Sequence, residues 1–212
     1  MWSSCHNPRV TDTRPGTDAD RRPTAYAVAL IILGIVGWIA AFALTTEKFA
    51  LLADPDAALG CDFSRLVQCR ANLESWQGSL FGFPNPILGL TGWVAPIVVG
   101  VALLAGARFD RWFRILFTIG VIAAAAFVIF LITTSIFVLG TLCPWCMVTW
   151  SVTIPLFWMV VLGSLRDGTI PVPPRVRAIA RAMYSWVPAI TVISYLLVAV
   201  LAQLRLDVLS FL

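Results

Sequence analysis

The sequence predicts an all-α polytopic membrane protein, and three observations predict it. Hydrophobic residues make up 59% of the 212 residues and charged residues only 12%, against roughly 25% charged residues in a soluble domain. The mean hydropathy is +0.88. Five stretches, 25–45, 85–107, 115–139, 146–165 and 184–204, carry no Asp, Glu, Lys, Arg or His, and each approaches the roughly 20 apolar residues that a membrane-spanning helix needs.

The elements follow in order. Residues 1–24 hold Arg9, Arg14, Arg21 and Arg22 among Pro, Asp and Thr, with no apolar run before Tyr26. They read as a disordered cytoplasmic tail rather than a cleavable signal peptide, followed by one transmembrane domain over 25–212. Arginines recur between the second and third spans (Arg108, Arg111, Arg114) and between the fourth and fifth (Arg166, Arg175, Arg177, Arg181). The positive-inside rule puts these segments and the N-terminus in the cytoplasm. The loop 46–84, the short connection 140–145 and the C-terminus then face outward, and they hold only Lys48, Arg65, Arg70 and Arg205. The formal charge of +4 therefore describes topology. A nucleic-acid partner would need a basic folded face with interleaved aromatics, and none is visible.

Of the five cysteines, Cys5 lies in the tail, whereas Cys61, Cys69, Cys143 and Cys146 all fall on the outward side. Disulfides form and persist on that side of a membrane. The stretch "CDFSRLVQC" sets Cys61 and Cys69 in the first outward loop, where a lone pair reads as a structural staple. The stretch "LCPWC" sets Cys143 and Cys146 at the start of the fourth span, with Pro144 in the first helical turn. A helix N-terminus stabilises a thiolate, so this pair reads as redox-active, and two pairs on one face can exchange disulfides. The rival is a non-catalytic membrane scaffold with static disulfides or a zinc site. Zinc pairs, however, are usually two to four residues apart, unlike Cys61 and Cys69. His6, the single histidine, is in the tail, which removes haem ligation and imidazole acid–base work from the outer face.

A disulfide relay needs an oxidant. The spans hold no intramembrane charge and no nucleotide-binding glycine loop, which leaves a lipid-soluble quinone bound in an apolar, aromatic pocket. The stretch "SWQGSLFGFPNPILGL" supplies Ser75, Trp76, Phe81, Phe83 and, between two prolines, Asn85. Its aromatic residues equally suit an interfacial belt, and Asn85 equally suits a cap of the second span. Trp150, one helical turn past Cys146, is placed either to stack on a flat ring or to pack the core.

These residues together resemble the vitamin K epoxide reductase family, and in particular its bacterial quinone-linked members. The resemblance covers nearly the whole chain from Tyr26 and rests on four features. They are the loop pair Cys61 and Cys69, Ser75 six residues on, "GFPNPILGL" with Asn85, and "LCPWC" opening the fourth span. DsbB proteins carry the two kinds of cysteine pair in the reverse order. The resemblance implies a four-helix transmembrane bundle around a quinone (menaquinone or another lipid quinone), an extracytoplasmic capping loop with a short interfacial helix, and a fifth transmembrane helix outside the bundle.

It further implies a thiol–quinone oxidoreductase in the plasma (inner) membrane of a bacterium, without a metal, that reoxidises a DsbA-like thioredoxin-fold protein and so drives disulfide formation in exported proteins. Cys61 meets the partner thiol, Cys69 exchanges with Cys143, and Cys146 meets the quinone. Asn85, with Phe81 and Trp150, holds the quinone, while Ser75 supports the interfacial helix or the relay. Some bacterial relatives carry a fused thioredoxin-like domain; this chain shows none through Leu212, so a separate partner is expected. The animal enzymes have tyrosine where this chain has Trp150, which argues against vitamin K epoxide as the substrate and leaves a quinone reductase acting to regenerate quinol as the alternative.

Overall fold

The computed structural model describes residues 18–207, with side chains from Thr24 onward; Cys5, His6 and most of the predicted tail lie outside the described residues. Among the described residues, five helical segments are long and apolar enough to cross a membrane, as the sequence predicts. α1 runs from Asp18–Ala53. It starts before residue 25 and continues about two turns past residue 45.

The second span is built from α3 (Asn85–Gly92) and α4 (Val94–Leu104). Pro96 has no N–H to donate to the Gly92 carbonyl, which interrupts the helix at Trp93. α5 (Arg111–Thr133) continues into a π-helical stretch, Thr134–Leu139, and stops at Gly140, whose φ of 68° is left-handed. α6 (Pro144–Arg166) follows Cys143 directly. α7 (Pro174–Tyr184) is a short amphipathic helix, and α8 (Val187–Leu206) is the fifth span. In the loop between α1 and α3 lie α2 (Arg70–Glu74) and a 3-10 turn, Trp76–Ser79.

α1 packs against α3, α4 and α6, and α5 packs against α6. Small residues permit the close approach of α1 and α4, as expected where lipid removes the hydrophobic drive between helices. A Cβ on Gly100 would sit 2.7 Å from the Ala27 carbonyl oxygen, and a Cβ on Gly37 would collide with the Trp93 ring. The intramembrane core gathers Leu30, Ala41, Trp93, Val121, Leu156 and Val160.

α8 stands outside this group and packs on α6 and on the π-helical stretch. The reason lies in Pro155, inside α6. It cannot donate to the Ser151 carbonyl, and Tyr195 of α8 donates its hydroxyl to that oxygen instead. Trp158 Nε1 also donates to Ser194 Oγ at 3.2 Å. In hydrocarbon a backbone carbonyl without a partner is costly, so the carbonyl that Pro155 leaves unpaired and the Tyr195 hydroxyl that meets it fasten the fifth helix to the bundle.

Candidate functional site: two cysteine pairs above an apolar cavity

The loop between α1 and α3 is held in place by polar side chains of α1, of α2 and of the loop itself. Glu47, near the end of α1, accepts from the Gly60 backbone N–H at 3.1 Å, and Lys48 donates to the Leu73 carbonyl at 2.7 Å. Asp62 accepts from the backbone N–H groups of Cys69 and Arg70 at 2.8 and 3.2 Å. Arg70 donates to the carbonyls of Pro55 and Ala57 and pairs with Glu74. Cys61 and Cys69 are joined by a disulfide within this frame.

A short parallel bridge then ties the loop to the residues just before α6. Leu142 donates its N–H to the Leu66 carbonyl at 2.7 Å, and Gln68 donates to the Leu142 carbonyl at 3.0 Å. The bridge pairs Val67 with Leu142, and the bond from Gln68 to the Leu142 carbonyl brings the residues that follow, Cys69 and Cys143, together. The two sulfurs stand 3.3 Å apart, with Cys143 a free thiol beside the Cys61–Cys69 bond. Asn72 adds a bond from its amide to Thr141 Oγ1 at 3.1 Å. All three of Cys61, Cys69 and Cys143 are buried, in a cluster with Leu44, Leu59 and Leu73.

Cys143 is the N-cap of α6, and its sulfur accepts from the Cys146 backbone N–H at 3.3 Å. Its thiol is held below the ordinary cysteine range, first by the Cys146 side chain and then by the backbone N–H groups of Cys146 and Trp145; burial and the Asp62 carboxylate oppose the shift. Pro144 occupies a first-turn position, as the sequence predicts.

Below the pairs lies an apolar cavity of about 840 Å³. It sits between α3/α4 and α5, with α1 and α6 behind. Cys146, Trp150, Phe81, Asn85 and Ser75 all border it. Trp150 is buried, whereas Phe81 is more than half exposed and touches the rings of Phe83 and Phe127.

Asn85 is the first residue of α3, behind Pro84 at the N-cap, and its side chain fastens the 3-10 turn. Its Nδ2 donates to the Gln77 carbonyl at 2.6 Å and its Oδ1 accepts from the Leu80 N–H at 3.2 Å. One amide hydrogen is thus not used by the Gln77 bond. Ser75 caps the same turn, accepting from the Gly78 N–H at 3.1 Å and donating to the Asn72 carbonyl at 2.8 Å.

The profile of the Vitamin K epoxide reductase family matches residues 28–161. The chain belongs to that family. The match covers more than half of the chain and takes in both cysteine pairs and the four helical segments around the cavity; α7 and α8 follow it. No curated protein and no solved structure matches the chain significantly. Membership gives a membrane oxidoreductase of the thiol–quinone kind.

Sequence reasoning missed Asp62 and Arg70 as the braces of the loop, the bridge at Leu142, and Glu47 and Lys48 as its anchors. Glu47 and Lys48, set between the apolar run 25–45 and the apolar residues 49–53, were the available signal for the last pair.

Proposed function

We propose that the protein reoxidises a DsbA-like thioredoxin-fold partner on the outer face of a bacterial plasma membrane and passes the electrons to a lipid quinone, menaquinone or a relative. The observation that carries this reading is the 3.3 Å approach of Cys69 and Cys143 at the end of a helix whose next cysteine borders an apolar cavity. The cavity's aromatic, uncharged lining and its position between two helices suit a flat ring with an isoprenoid tail.

The relay runs by thiolate attack on disulfide sulfur. A partner thiolate attacks Cys61 and releases Cys69. Cys69 attacks Cys143 of a Cys143–Cys146 disulfide, which leaves Cys146 as a thiolate at the cavity wall. The partner's second thiol displaces Cys61 and completes the partner's disulfide. Cys61 then attacks Cys69, which re-forms the loop bond and frees Cys143. The pairing in the structure, Cys61–Cys69 joined and Cys143 and Cys146 free, is the one the relay needs before the quinone is reduced, which supports this reading. A quinone in the cavity supplies an acceptor for two electrons and two protons. Cys143 and Cys146 give these up and close their own disulfide. One partner dithiol is oxidised per quinone reduced.

The zinc and scaffold alternative requires four thiolates or two static bonds. Neither suits a free Cys143 sulfur set against one half of a disulfide. Purified protein assayed with a reduced thioredoxin-fold oxidase and menaquinone, ubiquinone or vitamin K epoxide tests the proposal. Quinone reduction dependent on the partner's dithiol is expected, and full turnover by the Cys146→Ser protein would overturn it.

A further inference from the structure

A second pocket opens at the opposite end of the bundle from the cysteines, where α6 ends, α7 crosses and α8 begins. Its volume is about 990 Å³, and its polar wall carries Arg166, Asp167, Arg177 and Arg181. Arg166 is engaged: it pairs with Asp167 at 2.8 Å and lies over the Tyr184 ring, 4.1 Å from its centroid. Arg177 and Arg181 have no acidic partner among the described residues. Three arginines against one aspartate leave two net positive charges on the wall.

Arg177 is the telling residue. Its guanidinium is pressed against the turn at Gly168, where a Cβ would lie 2.7 Å from Nη2. Its Nε is buried and has no hydrogen-bond acceptor. A buried cationic donor without an acceptor is costly, and an anion that reaches it removes the cost. Guanidinium groups match phosphate oxygens in two-point fashion. The floor of the pocket is apolar, with Met159, Val187 and Pro188. Beside it α8 exposes Ile193, Leu196, Leu197 and Val200 along the bundle. A charged mouth beside an apolar helix face fits an amphiphile whose head is anionic.

We propose that Arg177 and Arg181, at the junction of α6, α7 and α8, bind a phosphate-ester anion at the membrane surface opposite the cysteines. Basic pockets between transmembrane helices suit anionic phospholipid headgroups. The shared chemistry is the phosphate, which a lipid or a soluble phosphate ester can bring. The site is distinct from the redox centre, since α6 has 23 residues and sets the pocket roughly 35 Å from Cys143.

The test uses the full chain. Detergent-solubilised protein is equilibrated with phosphatidylglycerol or phosphatidylcholine and examined by native mass spectrometry; glycerol 1-phosphate is titrated in parallel. Retention of phosphatidylglycerol over phosphatidylcholine is expected, falling about tenfold in the Arg177→Gln, Arg181→Gln protein, as for the loss of a charge-assisted bond. Quinone turnover stays as in the parent. Asp167→Asn, which releases Arg166, is expected to raise retention, an effect that misfolding does not produce. Arginine-dependent binding of glycerol 1-phosphate without lipid selectivity assigns the phosphate to a soluble ester, and lipid selectivity assigns it to a headgroup. Equal retention of the two lipids with no glycerol 1-phosphate binding, or parental retention by the double variant, overturns the proposal.

Discussion

Cys69 and Cys143 hold their sulfurs 3.3 Å apart although 74 positions separate them in the chain. The bridge between Leu66–Gln68 and Leu142 puts them there, and Cys61 and Cys146 are the other halves of the two pairs. Removing Cys146 leaves Cys143 with Cys69 as its neighbouring sulfur. The Cys146→Ser protein is expected to accumulate a Cys69–Cys143 disulfide with Cys61 released, visible by mass mapping after alkylation. The same substitution is expected to abolish quinone reduction. The Cys143→Ser protein should keep only the Cys61–Cys69 bond.

The environment of Cys143 sets the pH dependence of that exchange. Its thiol is held below the ordinary range by the Cys146 side chain and by backbone N–H groups at the start of α6. A depressed value populates the reactive thiolate at lower pH, so exchange is fully active above the midpoint and is lost as pH falls through it. Thiolate absorbance of the protein, with Cys143→Ser as the blank, should titrate with a midpoint below the roughly 8.5 of a free cysteine. A midpoint at or above that value would remove the Cys146 side chain and the helix start as the activating elements.

The five spans, the two cysteine pairs and their common face were legible in the sequence, because an apolar run and a cysteine spacing are local patterns. What escaped was non-local. The run 25–45 stops at Thr46, Glu47 and Lys48, yet the helix continues to Ala53 because Glu47 and Lys48 find partners in Gly60 and Leu73 of the loop that follows. Asp62 and Arg70 look like ordinary loop charges until the fold turns them onto backbone groups. Asn85 read as a ligand or a cap, and a contact to Gln77 eight residues back gave no local sign.

Arg70 joins four parts of the loop, so its loss tests whether the loop must stay closed or must open. Cys61 is only 2% exposed, and a partner thiol reaches it after local opening. Arg70→Ala leaves the Pro55 and Ala57 carbonyls to solvent and removes the pairs with Asp62 and Glu74. A loosening of about 1–2 kcal/mol is expected for these partly exposed contacts. Cys61 should then react faster with a small dithiol, while coupled quinone reduction falls because Cys69 no longer rests on Cys143. Rates measured with a small dithiol and with the protein partner separate the two effects.

The fifth helix is fastened through the Ser151 carbonyl that Pro155 leaves unpaired. Tyr195→Phe keeps the ring and removes the donor. A loss of about 1 kcal/mol is expected, because neighbours in lipid partly compensate for the lost bond. Ser151→Ala retains the carbonyl and should have little effect, whereas Pro155→Ala restores the helical donor and should make Tyr195→Phe nearly neutral. That coupling, measured by thermal unfolding of the parent, Tyr195→Phe, Pro155→Ala and the double variant in one detergent, separates a bond to the Ser151 carbonyl from simple packing of the ring.

Asn85 bears on the cavity mouth through both ends of its amide. Asn85→Ala removes the bonds to Gln77 and Leu80 together, freeing the turn Trp76–Ser79 that Ser75 caps from the other side. Asn85→Asp keeps the acceptor for Leu80 and loses the donor to Gln77. If the residue acts by holding the turn, both variants raise the quinone KM, alanine more than aspartate, and Ser75→Ala, which touches the same turn through Gly78, raises it in the same direction. If the residue acts by donating its second amide hydrogen to the ring, Ser75→Ala leaves KM unchanged while both Asn85 variants lose about tenfold in quinone affinity, the usual worth of one buried donor. Quinone titrations of the three proteins therefore decide between a brace and a ligand at this position.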